Sequence, residues 1–411
     1  MSNVPEIRFK GYTNAWGQCK LGEALSEKVS NGIMNKPGRN ELNIKHINVV
    51  NLYSPSHIHL DELEYINATE SDMQRCNIEV GDIFLTRSSL KVEGIAYANI
   101  LLDESKLVFD DHIMRIKLKE NFEPFFVKEA LYHSPTKKEF MTKAKTGTMT
   151  TIGQEDISSS LLAYPTKAEQ TAIGNFFRTL DNTLTFYKRK LDGLKELKKG
   201  YLQQMFPQNG ESVPRVRFNG FFDDWEEVKI CDVADTSFGG GTPSTTNDEF
   251  WNGDIPWLQS SDLTEHDVVQ TNLRKYITQS GLLGSAAKLI PANSIAIVTR
   301  VGVGKLCLIP FKYATSQDFF SLSGLKTDKW FAVYTLYNKL QKEVISVQGT
   351  SIKGITKDEL LNKTIYIPLS TAEQIAVGSF FHNLDIQITA HSRKLEQLKK
   401  LKSAYLQKMF I

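Results

Sequence analysis

AEQTAIGNFFRTLD, starting at Ala168, returns as AEQIAVGSFFHNLD, starting at Ala372, and the likeness continues on the C-terminal side. Aligned at a constant offset of 204 residues, 168–207 and 372–411 share 22 of 40 positions. The matches run from Ala168-Glu169-Gln170 and Leu180-Asp181 through Arg189-Lys190-Leu191 to Tyr201-Leu202-Gln203 and Met205-Phe206. A fainter echo, VPEIRFKGYTNAW at Val4 and VPRVRFNGFFDDW at Val213, opens each half. The order is therefore variable region, repeat, variable region, repeat, with a break at FPQNGESVP, where Pro, Asn and Gly stop a helical pattern.

Inside the repeat, apolar residues recur in alternating steps of three and four, at Phe177, Leu180, Leu184, Tyr187, Leu191 and Leu194. The second copy places Phe381, Leu384, Ile388, His391, Leu395 and Leu398 at the same steps. That spacing is a coiled-coil seam. At the next step the strict seam lands on Lys198 and Lys402, and the stripe is expected to shift to Leu197 and Leu401 before resuming at Tyr201/Tyr405 and Met205/Met409. A helix over 174–206 would be roughly 50 Å long at 1.5 Å per residue, more than one small domain needs. Two matching seams in one chain give each helix the partner the other requires, which favours an antiparallel pair over two independent amphipathic helices. Gln397 and Ala404 replace Gly193 and Gly200, so the second helix should be intrinsically firmer.

The variable regions read as α/β. GDIFLTR (81–87) and NSIAIVTR (293–300) look like strands, FEPFFVKEALYHSPTKKEFMTKA and DKWFAVYTLYNKLQKEVISV like helices. Each helical run leads to a Gly-Thr turn and then a strand ending in proline, LLAYP or TIYIP. The expected architecture is thus two pseudo-symmetric α/β domains, 1–165 and 208–368, joined by two long helices, 166–207 and 369–411, forming an antiparallel coiled coil.

The chain's 411 residues suit two domains, and 41% hydrophobic with 23% charged residues is a globular composition. No run of 18 apolar residues and no apolar N-terminal segment is present, which leads to a cytoplasmic expectation. Cys19, Cys76, Cys231 and Cys307 lie far apart, without metal-ligand spacing, and read as reduced structural thiols. A net charge of +2 gives no global attraction to a polyanion, so any DNA binding must rest on local basic clusters.

Catalytic motifs fail one by one. VGVGK at Val301 ends in Gly-Lys, but Leu306 stands where a phosphate loop needs Ser or Thr. Gly239-Gly240-Gly241 precedes TPSTTN, which lacks the helix of a dinucleotide site. His57-x-His59 implies no third metal ligand. No adenine-methyltransferase motif and no carboxylate-Lys nuclease cluster is recognisable, so the metal and catalytic sets are both empty.

Local clusters are more informative. TRSSLK supplies Thr86, Arg87, Ser88, Ser89 and Lys91, and TRVGVGK supplies Thr299, Arg300 and Lys305, each just after a strand. KAKTGTMTT supplies Lys145, Thr146, Gly147 and Thr148, and VQGTSIK supplies Gly349, Thr350, Ser351 and Lys353. Arginine, lysine, hydroxyls and turn amides are the groups that meet phosphates and base edges. TSFGGGTPSTTN and WLQSSDL add Gly240, Thr242 and Ser260, while Trp251 and Trp257 read as structural. Each cluster alone equally suits a solvated loop; their recurrence in matching places favours DNA binding.

The layout resembles the specificity (S) subunit family of type I restriction-modification systems. The resemblance rests on the opening Trp16, Lys20, Leu21 and Trp225, Lys229, Ile230, the helix entries Pro165, Glu169, Gln170 and Pro368, Glu373, Gln374, and the LD…RKL…LK…YLQxMF helix. It implies that each variable region is a target recognition domain reading half of a bipartite DNA sequence, with the helices fixing the gap. It further implies docking of two modification (M) subunits through the repeats and, through the complex, of restriction (R) subunits. S-adenosylmethionine, ATP and Mg are then expected on those partners and no cofactor on this chain. The alternatives are a coiled-coil adaptor with no direct DNA readout, and an enzyme acting alone.

Overall fold

The computed structural model describes residues 4–132, 135–208, 210–346 and 354–411. The chain divides into two compact units, Met1–Lys190 with Ser392–Ile411, and Leu191–His391. Each unit thus takes in the first part of one long helix and the last part of the other.

In the first unit the strand Ile83–Thr86 is buried along its whole length and lies at the centre of a four-stranded antiparallel sheet. Its neighbours are Ile113–Ile116 and Ala98–Ile100, with Ser30–Asn31 outside Ile113–Ile116. Successive side chains of a strand point to opposite faces, and both faces are covered. Ile83 and Leu85 join the core built with Phe126, Phe177 and Phe410, while Phe84 joins the core of Ile44, Ile47 and Phe109. A three-stranded sheet, Glu64–Tyr65, Lys45–Ile47 and Leu107–Phe109, closes the second core, and its last pair is parallel.

The second unit repeats this plan strand for strand. Its four-stranded sheet runs Ala234–Gly239, Phe319–Leu325, Ser294–Val298, Leu306–Ile309. Its three-stranded sheet runs Tyr276–Ile277, Trp251–Leu258, Ala314–Thr315, again with a parallel last pair. Ile295 and Ile297 face the core shared with Phe331 and Phe381, and Ala296 and Val298 face the other side. A further two-stranded pairing ties the ends of each domain together: Gly17–Lys20 with Leu161–Tyr164, and Glu226–Lys229 with Thr364–Ile367. The described helical segments here are Pro124–Tyr132 and Pro135–Lys143 in the first unit and Lys329–Ser346 in the second.

The long helices are Lys167–Gln204 and Thr371–Met409, within the expected segments 166–207 and 369–411, and the first begins ahead of the helical stretch 174–206; Glu169-Gln170 and Glu373-Gln374 lie inside the first turn. Within each unit the two helix segments run antiparallel. In the first, Phe177 meets Phe410 at 5.8 Å between ring centroids, Phe176 meets Tyr405 at 5.0 Å, and Asp181 meets Lys402. In the second, Phe381 meets Phe206 at 5.7 Å, Phe380 meets Tyr201 at 5.1 Å, and Asp385 meets Lys198.

The seam residues Phe177, Leu180, Leu191, Phe381, Leu384, Leu395 and Leu398 are buried, and Leu184, Tyr187, Leu194, Ile388 and His391 are half-buried. The expected shift of the stripe does not occur. Leu197 and Leu401 are 45% and 44% exposed, whereas Lys198 is 5% exposed. The strict seam continues through the lysines because each finds a carboxylate on the facing segment. Lys198 Nζ lies 2.6 and 2.8 Å from the Asp385 carboxylate oxygens, and Lys402 Nζ lies 2.6 Å from Asp181 Oδ1 and 3.5 Å from Glu129 Oε2. Counting lysine as a seam breaker misses this, since a buried cation is stable only with its counter-ion in place.

The Glu-Gln pair at each helix entry has an equally definite role. Glu169 is fully buried and takes both forks of the Arg8 guanidinium, at 2.6 and 2.7 Å; Glu373 takes Arg217 at 2.6 and 2.8 Å. Gln170 accepts from the Glu123 amide and donates to the Pro165 carbonyl, and Gln374 does the same with Asp328 and Pro368. The Arg-Phe echo that opens each half is therefore the partner of the helix entry, through a bidentate ion pair. No described helix is long and apolar enough to cross a membrane.

Candidate nucleic-acid interface

In the first unit the strand Ile83–Thr86 delivers Arg87 to a position clamped on both sides. Its amide donates to the His112 carbonyl at 2.7 Å, and its carbonyl accepts from Ile152 at 3.0 Å. The guanidinium donates back to the Asp111 carbonyl at 3.2 Å. Ser88–Ser89 then pairs antiparallel with Thr150–Thr151, and Lys145 exchanges two backbone bonds with Thr151 at 2.8 and 2.9 Å. The TRSSLK and KAKTGTMTT clusters, 54 residues apart between Lys91 and Lys145, are thereby joined in one small sheet.

The members of that set are not alike. Thr86 is fully buried; its hydroxyl donates to the Gly94 carbonyl and accepts from the Tyr97 amide at 2.9 Å, so it braces the loop instead of facing a ligand. Ser88 is buried as well. Lys91, Lys145, Thr146, Gly147 and Thr148 are exposed, with Arg87 and Ser89 half-buried. Nearby, burial pulls the Lys137 ammonium down to about 8 against the opposing pull of Glu93, and its Nζ donates to the Ile95 carbonyl.

In the second unit the corresponding loops surround a groove of about 1280 Å³ lined by Gly240, Thr299, Arg300, Lys305, Gln317 and Lys357 among others. Arg300 is exposed, and Lys305 is half-buried with Nζ donating to the Leu263 carbonyl at 3.2 Å. Thr299 is 8% exposed and its hydroxyl donates to the Asp318 carbonyl at 3.1 Å. A Cβ on Gly240 would lie 1.9 Å from the Ser316 carbonyl oxygen, so this wall of the groove requires glycine. Thr242 donates to Gln317 Oε1 at 2.5 Å, which fixes that amide at the rim. Ser260 opens a short helix, Ser260–Asp262, outside the groove lining. Gly349, Thr350, Ser351 and Lys353 lie outside the described residues. Trp257 is buried, donates to the Gly241 carbonyl at 2.9 Å and packs edge-on against Trp251. Gln317 and Lys357 carry no motif and were visible only once the chain folded.

The two Thr-Arg motifs do not occupy equivalent places. Ile83 pairs with Ile100 and Thr86 with Ile113; Ile295 pairs with Leu308 and Val298 with Phe319. Val298 is therefore the counterpart of Thr86, and Thr299 that of Arg87. The backbone agrees: Thr299 donates to Asp318 and accepts from Ile355, as Arg87 does with His112 and Ile152. Arg300 stands one residue further along, at the place of Ser88. The same scaffold thus presents its arginine from different positions in the two units.

Other polar features are structural. His57 and His59 pack 4.1 Å apart, His59 against the Pro55 carbonyl and His57 against the Ser56 hydroxyl. Burial pushes Asp82 up to about 6, although the Glu79 amide and Arg115 act against it. Burial likewise lowers the pKa of His46, against the pull of Asp110.

The geometry defines a class of chain: two α/β domains of one topology, each opening a surface of arginine, lysine, glycine and hydroxyl groups, each braced by antiparallel helix segments. The chain belongs to the type I restriction modification DNA specificity domain family, whose model matches residues 29–196 and 222–400. It is 48% identical over 184 residues to the EcoR124I/EcoR124II type I restriction enzyme specificity subunit of Escherichia coli, covering 42% of this chain and 45% of that protein. To the MjaIX specificity subunit of Methanocaldococcus jannaschii it is 26% identical over 194 residues, 46% of this chain and 44% of that protein. The chain therefore aligns with under half the length of each of these curated relatives. In fold it is similar to the crystal structure of a type I restriction-modification system S subunit from M. genitalium, with a TM-score of 0.66, 11% identity and 99% of both chains covered.

Proposed function

We propose that this chain is the non-catalytic specificity subunit of a cytoplasmic type I restriction-modification complex. Each α/β domain reads one half of a bipartite, asymmetric double-stranded DNA target. The observation that carries this reading is a single scaffold used twice with unlike loops: Arg87 and its neighbours on a small sheet, Arg300 and Lys305 on a groove. Duplicated scaffolds with non-equivalent contact residues suit two different half-sites. Joining two modest readers in one chain also makes the second encounter intramolecular, which raises selectivity without further contacts.

The long helices act as the ruler between half-sites and, through their repeated surfaces, as docking sites for two M subunits, with R subunits joining through the complex. S-adenosylmethionine, ATP and Mg belong to those partners. Removing one heptad from each long helix preserves the seam and shortens each by about 10 Å. Sites selected from random DNA by the complex with M subunits should then show a gap shorter by about three base pairs. An unchanged gap defeats the ruler. No DNA retention by the complex would leave the adaptor reading.

A further inference from the structure

The groove of the second unit holds a side-chain amide that no motif announces. Gln317 is exposed and lines the groove with Gly240, Thr299 and Arg300, at the middle of the turn 316–318. The turn is anchored at both ends: the Ser316 amide donates to the Leu258 carbonyl at 2.9 Å, and the Asp318 carbonyl accepts from the Thr299 amide at 2.8 Å. From the facing loop, Thr242 donates to Gln317 Oε1 at 2.5 Å. That loop is itself tied down, since the Gly241 amide donates to the Thr315 carbonyl and the Gly241 carbonyl accepts from the Trp257 indole, both at 2.9 Å. The amide is thus held in place before any ligand arrives, which lowers the ordering cost of binding.

We propose that Gln317 is a specificity-determining residue that reads one adenine in the half-site of the second domain, with Thr242 as its positioning residue. The inference rests on the proposed function and adds to it a base identity at one position. An amide oxygen has two lone pairs, so the bond from Thr242 leaves one acceptor site beside the donors of Nε2. Adenine offers the complementary pattern in the major groove, an N6 donor next to an N7 acceptor. Guanine presents two acceptors there, and the same amide satisfies only one of them.

The first unit fills the same place with a different group. Its Ile33 amide donates to the Phe109 carbonyl at 2.8 Å as Gly241 does to Thr315, and its Arg87 amide donates to the His112 carbonyl at 2.7 Å as Thr299 does to Asp318. Asp111 is therefore the counterpart of Gln317, and Met34, 75% exposed, that of Thr242. The first unit keeps the backbone of the turn with Met34 in the place of the threonine, so the fold of the turn does not depend on the Thr242–Gln317 bond. A carboxylate only accepts, and its base partner is the N4 amino group of cytosine. A shared backbone with side chains of different polarity is what a position that distinguishes two half-sites requires.

The test selects binding sites from random double-stranded DNA with the complex of this chain and M subunits, then compares matched and singly substituted duplexes at fixed salt. Wild type should require adenine at one position, where guanine costs about 5- to 100-fold in affinity. Gln317→Ala should erase the preference at that position alone, and Gln317→Glu, which only accepts, should move it to cytosine. Thr242→Val should weaken the preference at the same position, and Thr242→Ser should keep it. Asp111→Asn should leave that position as it is and alter one in the other half. Gln317 and Thr242 are exposed, so folding is not at stake. A bipartite wild-type motif that neither Gln317 variant alters, or a Gln317→Ala chain weakened equally for all four bases, overturns this inference and leaves the proposed function standing. A wild-type complex that selects no bipartite motif overturns both.

Discussion

Asp385→Asn is the substitution that most sharply tests why each helix repeat carries an invariant Leu-Asp step. Asp385 is 5% exposed and accepts from Lys198 at 2.6 and 2.8 Å and from the Tyr334 hydroxyl at 2.6 Å. Lys198 Nζ also donates to the His266 carbonyl at 3.2 Å and lies 5.5 Å from the centres of the Tyr334 and Tyr337 rings. Asparagine keeps the shape and an acceptor for Tyr334 but leaves an ammonium buried without its counter-ion, which costs about 3–5 kcal/mol. Burial holds the Asp385 carboxyl above the ordinary carboxylate range even with Lys198 against it, so desolvation takes back much of what the pair gives. Lys198→Met combined with Asp385→Asn removes the stranded charge and should recover most of the loss. The pair therefore fixes register more than it adds stability, as polar seam residues do in coiled coils. Guanidinium unfolding followed by tryptophan fluorescence reads this directly, since four of the five tryptophans, Trp225, Trp251, Trp257 and Trp330, belong to the second unit. A loss for Asp385→Asn within about 0.5 kcal/mol, the range of a neutral surface change, refutes the reasoning, as does a double variant no more stable than the single.

Arg8→Ala strands the fully buried Glu169 and should cost about 3 kcal/mol or more, with Glu169→Gln in the same chain restoring part of it in thermal melts. Gly240→Ala puts a methyl carbon against the Ser316 carbonyl and should destabilise the second unit by about 1–3 kcal/mol, measured by the same fluorescence transition. Asp82, pushed up to about 6 by burial, binds its proton more readily folded than unfolded. Its contribution is full below pH of about 4 and is lost as pH rises through about 6. Asp82→Asn should therefore gain relative to wild type between pH 4 and 7 in urea midpoints; parallel pH curves contradict this.

Much of the architecture was legible because it was written twice. The repeat located both long helices, and the matching order of helix, Gly-Thr turn and proline-ended strand announced a shared topology. What escaped was tertiary. Lys198 and Lys402 looked like breaks in an apolar stripe, and only the facing Asp385 and Asp181 make them seam residues. Glu169 and Glu373 were legible as helix entries, but their pairing with Arg8 and Arg217 shows only in the fold. The Thr-Arg motifs suggested equivalent reading arms, but motif spacing does not encode strand register, and pairing moves Arg300 one residue past the place of Arg87. Thr86 and Thr299 were sound as loop markers, yet their hydroxyls serve backbone groups.

The central claim, that two unlike domains each read their own half of one target, is tested most directly by mapping methylated adenines in DNA modified by this chain with its M subunits. Wild type should yield one bipartite motif with two different halves and a fixed gap. Arg300→Ala should relax one position in one half, at a cost of about 1–3 kcal/mol for a base contact, leaving the other half and the gap intact. A single contiguous motif, or a change in both halves at once, would contradict the account.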